Sequence, residues 1–380
     1  MVQSDVLLVH ADKKPMPGIL HPTPNQVYRN ARVSIEKRNL SKLDPDKIRL
    51  EMYYVGICGT DLHLTTNDPH TGYIRCTAPL EIPENGRIIG HEGVGRILEV
   101  GEHVRHLQVD MLVTLESIMV CNVCESCKKG KFNQCKQAKL IGLEHDGLFG
   151  TVVDVPCSIA HNITDRVRNE QDLMAAACIE PAGVAYVGCE NAELKAGETV
   201  VIFGAGPIGV LSAMLSKQVF GASQVHVVEP LEFRRQFAKK WADHVYTPEE
   251  FFKAPPLKID VVFESSAYVE NVNHIFKHVS ENGRIVLLGR RGVPLEINGV
   301  DHMITNEISV KGSRGHLCGA FAQILALQKA GRIHLEEIVT NVVEDLKDIK
   351  KFLEHRELLE RENCKVVIDL RKQMVCKGGK

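Results

Sequence analysis

Apolar and polar residues change their rhythm several times along this chain, and each change predicts a different kind of element. Over residues 6–37 short apolar runs are broken by Pro15, Gly18, Pro22 and Pro24, which predicts small strands and turns rather than helix. Residues 47–55 alternate apolar and polar up to Gly56, so a strand should end just before Cys58. Residues 64–88 hold Pro69, Gly72, Pro79, Pro83 and Gly86 with no sustained period; they predict a surface loop placed to overhang whatever Cys58 serves. Residues 88–101 mix glycine with β-branched side chains, and glycine inside a strand pattern predicts a bent strand of a small barrel.

Short strands are expected to about residue 165, and a helical pattern covers roughly residues 171–188. A turn at Lys195-Ala196-Gly197-Glu198 then leads into the apolar run Thr199-Val200-Val201-Ile202-Phe203. From there to about residue 310, apolar strands at 225–229, 261–264 and 285–289 alternate with amphipathic helices, the mark of parallel βαβ units. Helices near 320–330 and 345–356 and a strand over 364–370 close the chain.

Length makes this two domains, since 380 residues exceed what a single core usually serves. A formal net charge of -2 excludes the basic footprint of a nucleic-acid or anionic-membrane binder. No run approaches the ~20 apolar residues of a membrane span, and Met1-Val2-Gln3-Ser4-Asp5 lacks the charged-then-apolar order of a signal peptide. A cytoplasmic location is therefore expected. In a reducing compartment the 12 cysteines point to metal binding or catalysis rather than disulfides.

Gly204-Ala205-Gly206-Pro207-Ile208-Gly209 follows one predicted strand and opens a predicted helix. Glycines there permit a tight turn and close backbone approach, while the helix N-terminus offers free N–H groups to a pyrophosphate. Glu229, twenty residues beyond Gly209, is placed to accept both hydroxyl hydrogens of an adenosine ribose and to repel a 2′-phosphate, so NAD is expected over NADP. Arg234 and Arg235 follow closely enough to soften that preference. The plainer reading, a glycine turn in an ordinary α/β domain, lacks a reason for the strand, helix and acid to occur together.

Cys121, Cys124, Cys127 and Cys135 fall in one fifteen-residue loop, a spacing that closes a tetrahedral thiolate shell around structural zinc. A zinc ribbon for nucleic acid would use similar spacing, but Lys128, Lys129 and Lys131 are the only basic run of the lobe and read as a solvated face. A second site has to be assembled from distant segments: a thiolate from Cys58, an imidazole from His91, and carboxylates from Glu92 and Glu180. One Cys, one His and carboxylates with a position open to water or substrate fit catalytic zinc. Read singly, Cys58 is a small buried hydrophobe and Glu180 a helix-start acid beside Pro181.

Taken in order, Gly56-x-Cys58-Gly59-Thr60-Asp61-x-His63, Gly90-His91-Glu92-x-x-Gly95, the four-cysteine lobe and Gly204-x-Gly206-x-x-Gly209 resemble the zinc-dependent medium-chain dehydrogenase/reductases over nearly the whole chain. The resemblance implies an α/β protein: a GroES-like β-barrel catalytic domain over residues 1–183 and 315–380, with a Rossmann doubly wound parallel-sheet domain over 184–314 and the active site in the cleft. It implies a catalytic zinc on Cys58 and His91, with Glu92 and Glu180 binding it directly or through its water. Glu180-Pro181 looks more like the sorbitol, sugar and threonine dehydrogenase branch than the alcohol dehydrogenases, which favours a polyol, sugar, cyclitol or amino-alcohol substrate. Threonine, a simple secondary alcohol, or a sugar with NADP are the alternatives. The family also suggests a homodimer or homotetramer, and it implies that Thr60 takes the alcohol's proton, which passes through the cofactor ribose to His63. Asp61 reads as a carboxylate orienting a ligand histidine. Two other classes compete: a nucleotide-sensing or zinc-ribbon protein without catalysis, and a zinc-free enone or quinone reductase, which would need neither Cys58 nor the lobe.

Overall fold

The first 39 residues form one long antiparallel hairpin, not the several small strands their punctuation predicts: β1 (Gln3–Lys13) pairs with β2 (Tyr28–Asn39). Pro15, Pro22 and Pro24 lie in the connection between them, where a missing N–H interrupts no ladder. The computed structural model describes residues 2–254 and 257–375. Its chain divides into two compact units, one of Met1–Glu180, Val339–Leu359 and Lys365–Lys380, the other of Pro181–Ile338 and Glu360–Cys364. The helix α10 (Ala320–Lys329) falls in the second of these units.

In the first unit, β3 (Lys47–Gly56) ends in the Gly-x-Cys segment, and α1 (Gly59–Thr65) starts directly after Cys58. The expected bent strand is two strands, β4 (Arg87–Ile88) and β5 (Glu92–Val100), separated by Ile89-Gly90-His91. Next come β6 (Leu112–Leu115), then the short pair β7 (Ile118–Met119) and β8 (Lys139–Leu140), which brackets the cysteine lobe and its helix α2 (Glu125–Lys128). After these follow β9 (Val152–Pro156), β10 (Ala160–Asn162) and α3 (Glu170–Ala176). The main sheet runs β10-β6-β5-β3-β18-β17, with β9 also on β3 and with β17 (Val339–Val343) and β18 (Lys365–Asp369) contributed from the end of the chain. Its core gathers Ile48, Leu50, Met52, Ile97, Val113 and Phe149, and α11 (Leu346–Glu354) adds Leu346, Ile349 and Leu353. Alternation along β3 thus buries one row of apolar side chains while the strand carries Cys58 to its end.

The segment after α1 is fastened at the site helix, where the Arg75 N–H donates to the His63 carbonyl at 3.1 Å, and along the first hairpin as well. Asn67 exchanges two hydrogen bonds with the backbone of Ala31, at 2.8 and 3.0 Å, and the Tyr73 hydroxyl donates to the Lys14 carbonyl at 2.8 Å. The Arg29 guanidinium lies over the Tyr73 ring, 5.5 Å from its centre. These contacts lay the segment along the first hairpin.

The single helix expected over 171–188 is two, α3 and α4 (Ile179–Asn191), meeting at 58°. Pro181 has no N–H to donate backwards, so it sits in the first turn of a new helix rather than inside a continuing one. No single helix among the described residues is long and apolar enough to cross a membrane.

The second unit is built on six parallel strands in the order β13-β12-β11-β14-β15-β16. They are β11 (Thr199–Phe203), β12 (Gln224–Val228), β13 (His244–Tyr246), β14 (Ile259–Glu264), β15 (Val279–Leu287) and β16 (Ser309–Gly312). The first strand lies at the centre, so the order reverses beside it, the arrangement of a doubly wound nucleotide-binding sheet. The connecting helices include α5 (Pro207–Gln218), α6 (Glu232–Ala238), α7 (Pro248–Lys253), α8 (Glu270–Ile275) and α9 (Val300–Thr305). After β17 and α11, α12 (Arg356–Glu362) precedes the final strand.

Register places two imidazoles side by side in this sheet: His226 opposes His244 across β12 and β13, and their rings stack with centres 4.8 Å apart. Burial first, and the His244 charge second, push the His226 pKa down to about 4. In the unfolded chain the group titrates near 6.5. Above that pH the difference costs nothing; as pH falls from 6.5 the unfolded chain takes up a proton that the fold refuses, and the loss is complete below about 4. Between pH 7 and pH 5, His226→Phe should therefore lose about 2 kcal/mol less stability than the wild type. Urea unfolding of both proteins at the two pH values checks this, and parallel losses would contradict it.

Candidate metal centres and dinucleotide turn

Cys58 caps α1 through its own sulfur, which accepts from the Thr60 N–H at 3.5 Å. Asp61, fully buried, returns a carboxylate oxygen to the Cys58 N–H at 2.9 Å and offers its other oxygen to the Gly90 N–H at 3.3 Å. One carboxylate thereby ties the segment bearing Cys58 to the segment bearing His91. The same oxygen faces His91 Nδ1 at 3.8 Å, and that nitrogen has no hydrogen-bond partner among the described residues.

These ties bring Cys58, His91 and Glu92 together, with their ligand atoms all within 4.8 Å of one another. Burial, then the Asp61 charge, push the Cys58 thiol up to about 11. With no cation beside it, Cys58 is a thiol at neutral pH; a divalent cation supplies the charge that makes it a thiolate ligand. A sulfur, an imidazole nitrogen and a carboxylate oxygen in this space suit zinc.

Glu180 is not one of the three gathered groups. It is buried, and the Ser117 hydroxyl donates to its Oε1 at 2.8 Å. Its charge still reaches Cys58, where it adds to the upward pressure on the thiol. Thr60 and His63 both lie on α1, three residues apart and hence on one face, each partly exposed.

Sequence reasoning missed Lys365. This lysine is 1% exposed at the start of a wholly buried strand whose three middle residues are apolar. Its ammonium makes an ion pair with Glu92 and donates to the Ile57 carbonyl at 2.9 Å. Burial pulls its pKa down to about 8. Gly56 makes room for the pair: a Cβ there would stand 2.6 Å from Glu92 Oε2 and 2.7 Å from Lys365 Cε. A signal was present, since a single cation inside Cys364-Lys365-Val366-Val367-Ile368 has to find a partner.

The four lobe cysteines also converge, with all four sulfurs within 4.8 Å of one another. Cys121 and Cys135 are 3.6 Å apart and Cys124 and Cys135 3.9 Å. A tetrahedron of sulfurs about 2.3 Å from its centre has edges of about 3.8 Å, whereas a disulfide would bring two sulfurs to about 2.05 Å. The geometry is that of a zinc shell, and no disulfide occurs among the described residues. Backbone N–H groups point at two of the sulfurs, from Cys121 to Cys135 at 3.5 Å and from Cys124 to Cys121 at 3.3 Å. Cys124→Ser should lower the melting temperature by roughly 5–10 °C and reduce bound zinc from about two ions per chain to about one. Differential scanning calorimetry with metal analysis measures both, and an unchanged melting temperature would remove the structural role.

In the second unit the glycine turn joins β11 to α5, with Gly206 preceding the helix and Pro207 at its first position. A Cβ on Gly209 would stand 1.9 Å from the Gly204 carbonyl oxygen, so the turn closes only on glycine. Glu229, buried at the end of β12, accepts from the Ala205 N–H at 2.8 Å and from the Leu231 N–H at 2.9 Å. It therefore braces the turn besides facing a ribose, and each oxygen keeps a second lone pair for a hydroxyl. Arg235 is occupied by the Glu229 and Pro230 carbonyls and by Glu232. Arg234 points toward the turn, its Nη1 3.9 Å from where a Cβ of Gly206 would lie, and its buried Nε has no hydrogen-bond partner among the described residues. The turn, the helix start and the acid fit a dinucleotide.

Residues 44–165 match the family described as alcohol dehydrogenase GroES-like domain, and residues 207–330 the family described as zinc-binding dehydrogenase. An L-threonine 3-dehydrogenase of Thermococcus kodakarensis is 32% identical over 337 residues, 84% of this chain and 89% of its own length. A protein named "Probable D-xylulose reductase A" from Aspergillus clavatus is 31% identical over 330 residues, 82% of this chain and 87% of its own. Among solved structures, 2R,3R-butanediol dehydrogenase from Bacillus subtilis shares the fold with a TM-score of 0.78 at 24% identity, covering 96% of this chain and 99% of its own.

Proposed function

Because this chain belongs to the zinc-dependent medium-chain dehydrogenase/reductases, we propose that it transfers a hydride between a secondary alcohol of a polyol, sugar, cyclitol or amino alcohol and NAD. The observation that carries the reading is the convergence of Cys58, His91 and Glu92, a donor set with a position left for substrate. The two relatives, named for threonine and xylulose, support a substrate with neighbouring polar groups.

When bound, zinc lowers the pKa of an alcohol toward neutrality. Cys58 and His91 would hold it, with Glu180 and Glu92 bordering the same space, as ligands or through water. Asp61 keeps the two ligand segments in register. The Thr60 hydroxyl accepts the substrate's proton, and His63, on the same face of α1, delivers it to solvent. Gly204, Gly206, Pro207, Ile208 and Gly209 would hold the pyrophosphate, with Glu229 available to the adenosine ribose and Arg234 beside the turn.

Turnover with NAD over a panel of polyols, inositols, aldoses, threonine and simple secondary alcohols tests the assignment. Activity confined to threonine or to simple alcohols would replace the polyol reading, and no activity on any member would sink it. Glu229→Ala should weaken NADH binding roughly tenfold, as expected for losing a charge-assisted hydrogen bond, and narrow the preference for NAD over NADP. Equal use of both cofactors by the unaltered protein would overturn the NAD assignment.

We also infer a homodimer or homotetramer. Among the described residues β16 pairs on one side only, and Val300 and Ile304 are 62% and 70% exposed on the helix before it. Sedimentation equilibrium distinguishes these states from a monomer. We infer a reducing, cytoplasmic setting as well, which keeps the four lobe thiols available to a metal.

A further inference from the structure

Glu264 ends β14 with a fully buried carboxylate that none of the steps above uses. No cation pairs with it among the described residues. It is satisfied by its own loop instead: Oε1 accepts from the Ser266 N–H at 3.1 Å and from the Ser266 hydroxyl, and Oε2 accepts from the Ala267 N–H at 3.2 Å. Ala267 is held at φ +62°, a conformation that costs a side-chain-bearing residue energy unless the surroundings enforce it. A buried carboxylate is expensive to keep, so a fold that retains one for three donors in a strained loop is using it to fix that loop.

Two neighbouring loops are locked to the same residue. The Glu264 carbonyl accepts from Leu288 and Gly289 at 2.8 and 2.9 Å, which pins the segment after β15. Gly289 approaches so closely that a Cβ there would lie 2.4 Å from the Ala267 nitrogen and 2.9 Å from Glu264 Oε2. On the other side, the Ser265 hydroxyl donates to the Phe203 carbonyl at 2.7 Å, and the position a Cβ would take on Gly204 is 3.0 Å from the Ser266 Cα. Glu264 thus joins the glycine turn after β11 to the loops after β14 and β15, all at the carboxyl ends of adjacent parallel strands.

That edge is where a doubly wound sheet binds its ligand, one mononucleotide on each half. Glu229, beyond β12, marks the adenosine half; β14 and β15 lie on the opposite side of β11 and carry the other. Building on the dinucleotide reading above, we propose that Glu264 is a positioning residue for the nicotinamide half of the cofactor, holding the loops after β14 and β15 in the shape that half requires. The adenosine half, braced by Glu229 and Ala205, does not depend on it.

The test is a pair of affinities, for ADP and for NADH, measured by calorimetry and by NADH fluorescence on the wild type, Glu264→Gln and Ser266→Ala. An amide presents N–H to a donor that the carboxylate accepted, so Glu264→Gln should raise the Kd for NADH roughly tenfold and leave that for ADP within about twofold. Ser266→Ala removes one donor without creating a clash; its NADH Kd should rise roughly threefold with ADP unchanged. If Glu264→Gln does not fold, Ser266→Ala decides. Parallel losses for both ligands, or no change in either, would overturn the proposal and leave Glu264 as ordinary scaffolding. A wild type that binds neither ligand overturns the dinucleotide reading and this inference with it, whereas a wild type that binds both with unaffected variants overturns the inference alone.

Discussion

Cys58→Ala should abolish alcohol turnover, by roughly a thousandfold or more, while the protein keeps its fold and its affinity for NADH. The size follows from what a bound metal contributes: several kcal/mol of charge stabilisation in the transition state, at about 1.4 kcal/mol for each factor of ten. The selectivity follows from location, because Cys58 belongs to the first unit and the glycine turn to the second. Removing the thiol takes away one weak cap bond to α1, so only a modest stability loss of about 1 kcal/mol is expected. Steady-state kinetics, circular dichroism and metal analysis form the measurement. About one zinc per chain should remain, in the four-cysteine lobe. Full activity in this variant would remove zinc from the mechanism.

Lys365→Met should destabilise the first unit by about 4 kcal/mol, although the residue touches neither lobe cysteines nor the glycine turn. Breaking a buried ion pair from one side leaves the other charge stranded, which typically costs about 3–5 kcal/mol. Both members are almost wholly buried here, with side chains 1% and 2% exposed, so solvent does little to soften the loss. The same reasoning predicts that Lys365→Met combined with Glu92→Leu recovers most of the stability, since replacing a buried pair by apolar groups is nearly neutral. Urea midpoints of the two single variants and the double variant complete the cycle. Additive losses would show that the pair is not coupled.

Sequence alone conveyed the parts of this architecture that depend on near neighbours. The thiolate shell was legible because its four ligands fall within fifteen residues, and the glycine turn because strand, turn, helix and acid follow one another. Gly56 was legible as the end of a strand, whereas the helix that starts just after Cys58 was not. What escaped depends on contacts between distant segments. The first hairpin looked fragmented because prolines that sit in its connection are adjacent in sequence to residues that pair. The stretch after His63 looked free because its anchors, Ala31 and Lys14, are more than thirty residues away. The partner of Glu92 lay at the far end of the chain.

The pairing of β18 with β3 also sets when during biosynthesis the centre can be finished. Lys365 follows Glu92 by 273 residues, so the carboxylate has no counter-ion until that further length of chain has been made. Chain growth at about 5–20 residues per second makes that interval tens of seconds. Throughout it, an emerging barrel carries an uncompensated acid next to an empty strand position, which keeps it open to the cation and to the missing strand alike. The second unit has its six parallel strands in one continuous stretch and can fold within that wait. Premature termination just before Lys365 would therefore yield a chain with a complete nucleotide-binding sheet and an unfinished metal centre.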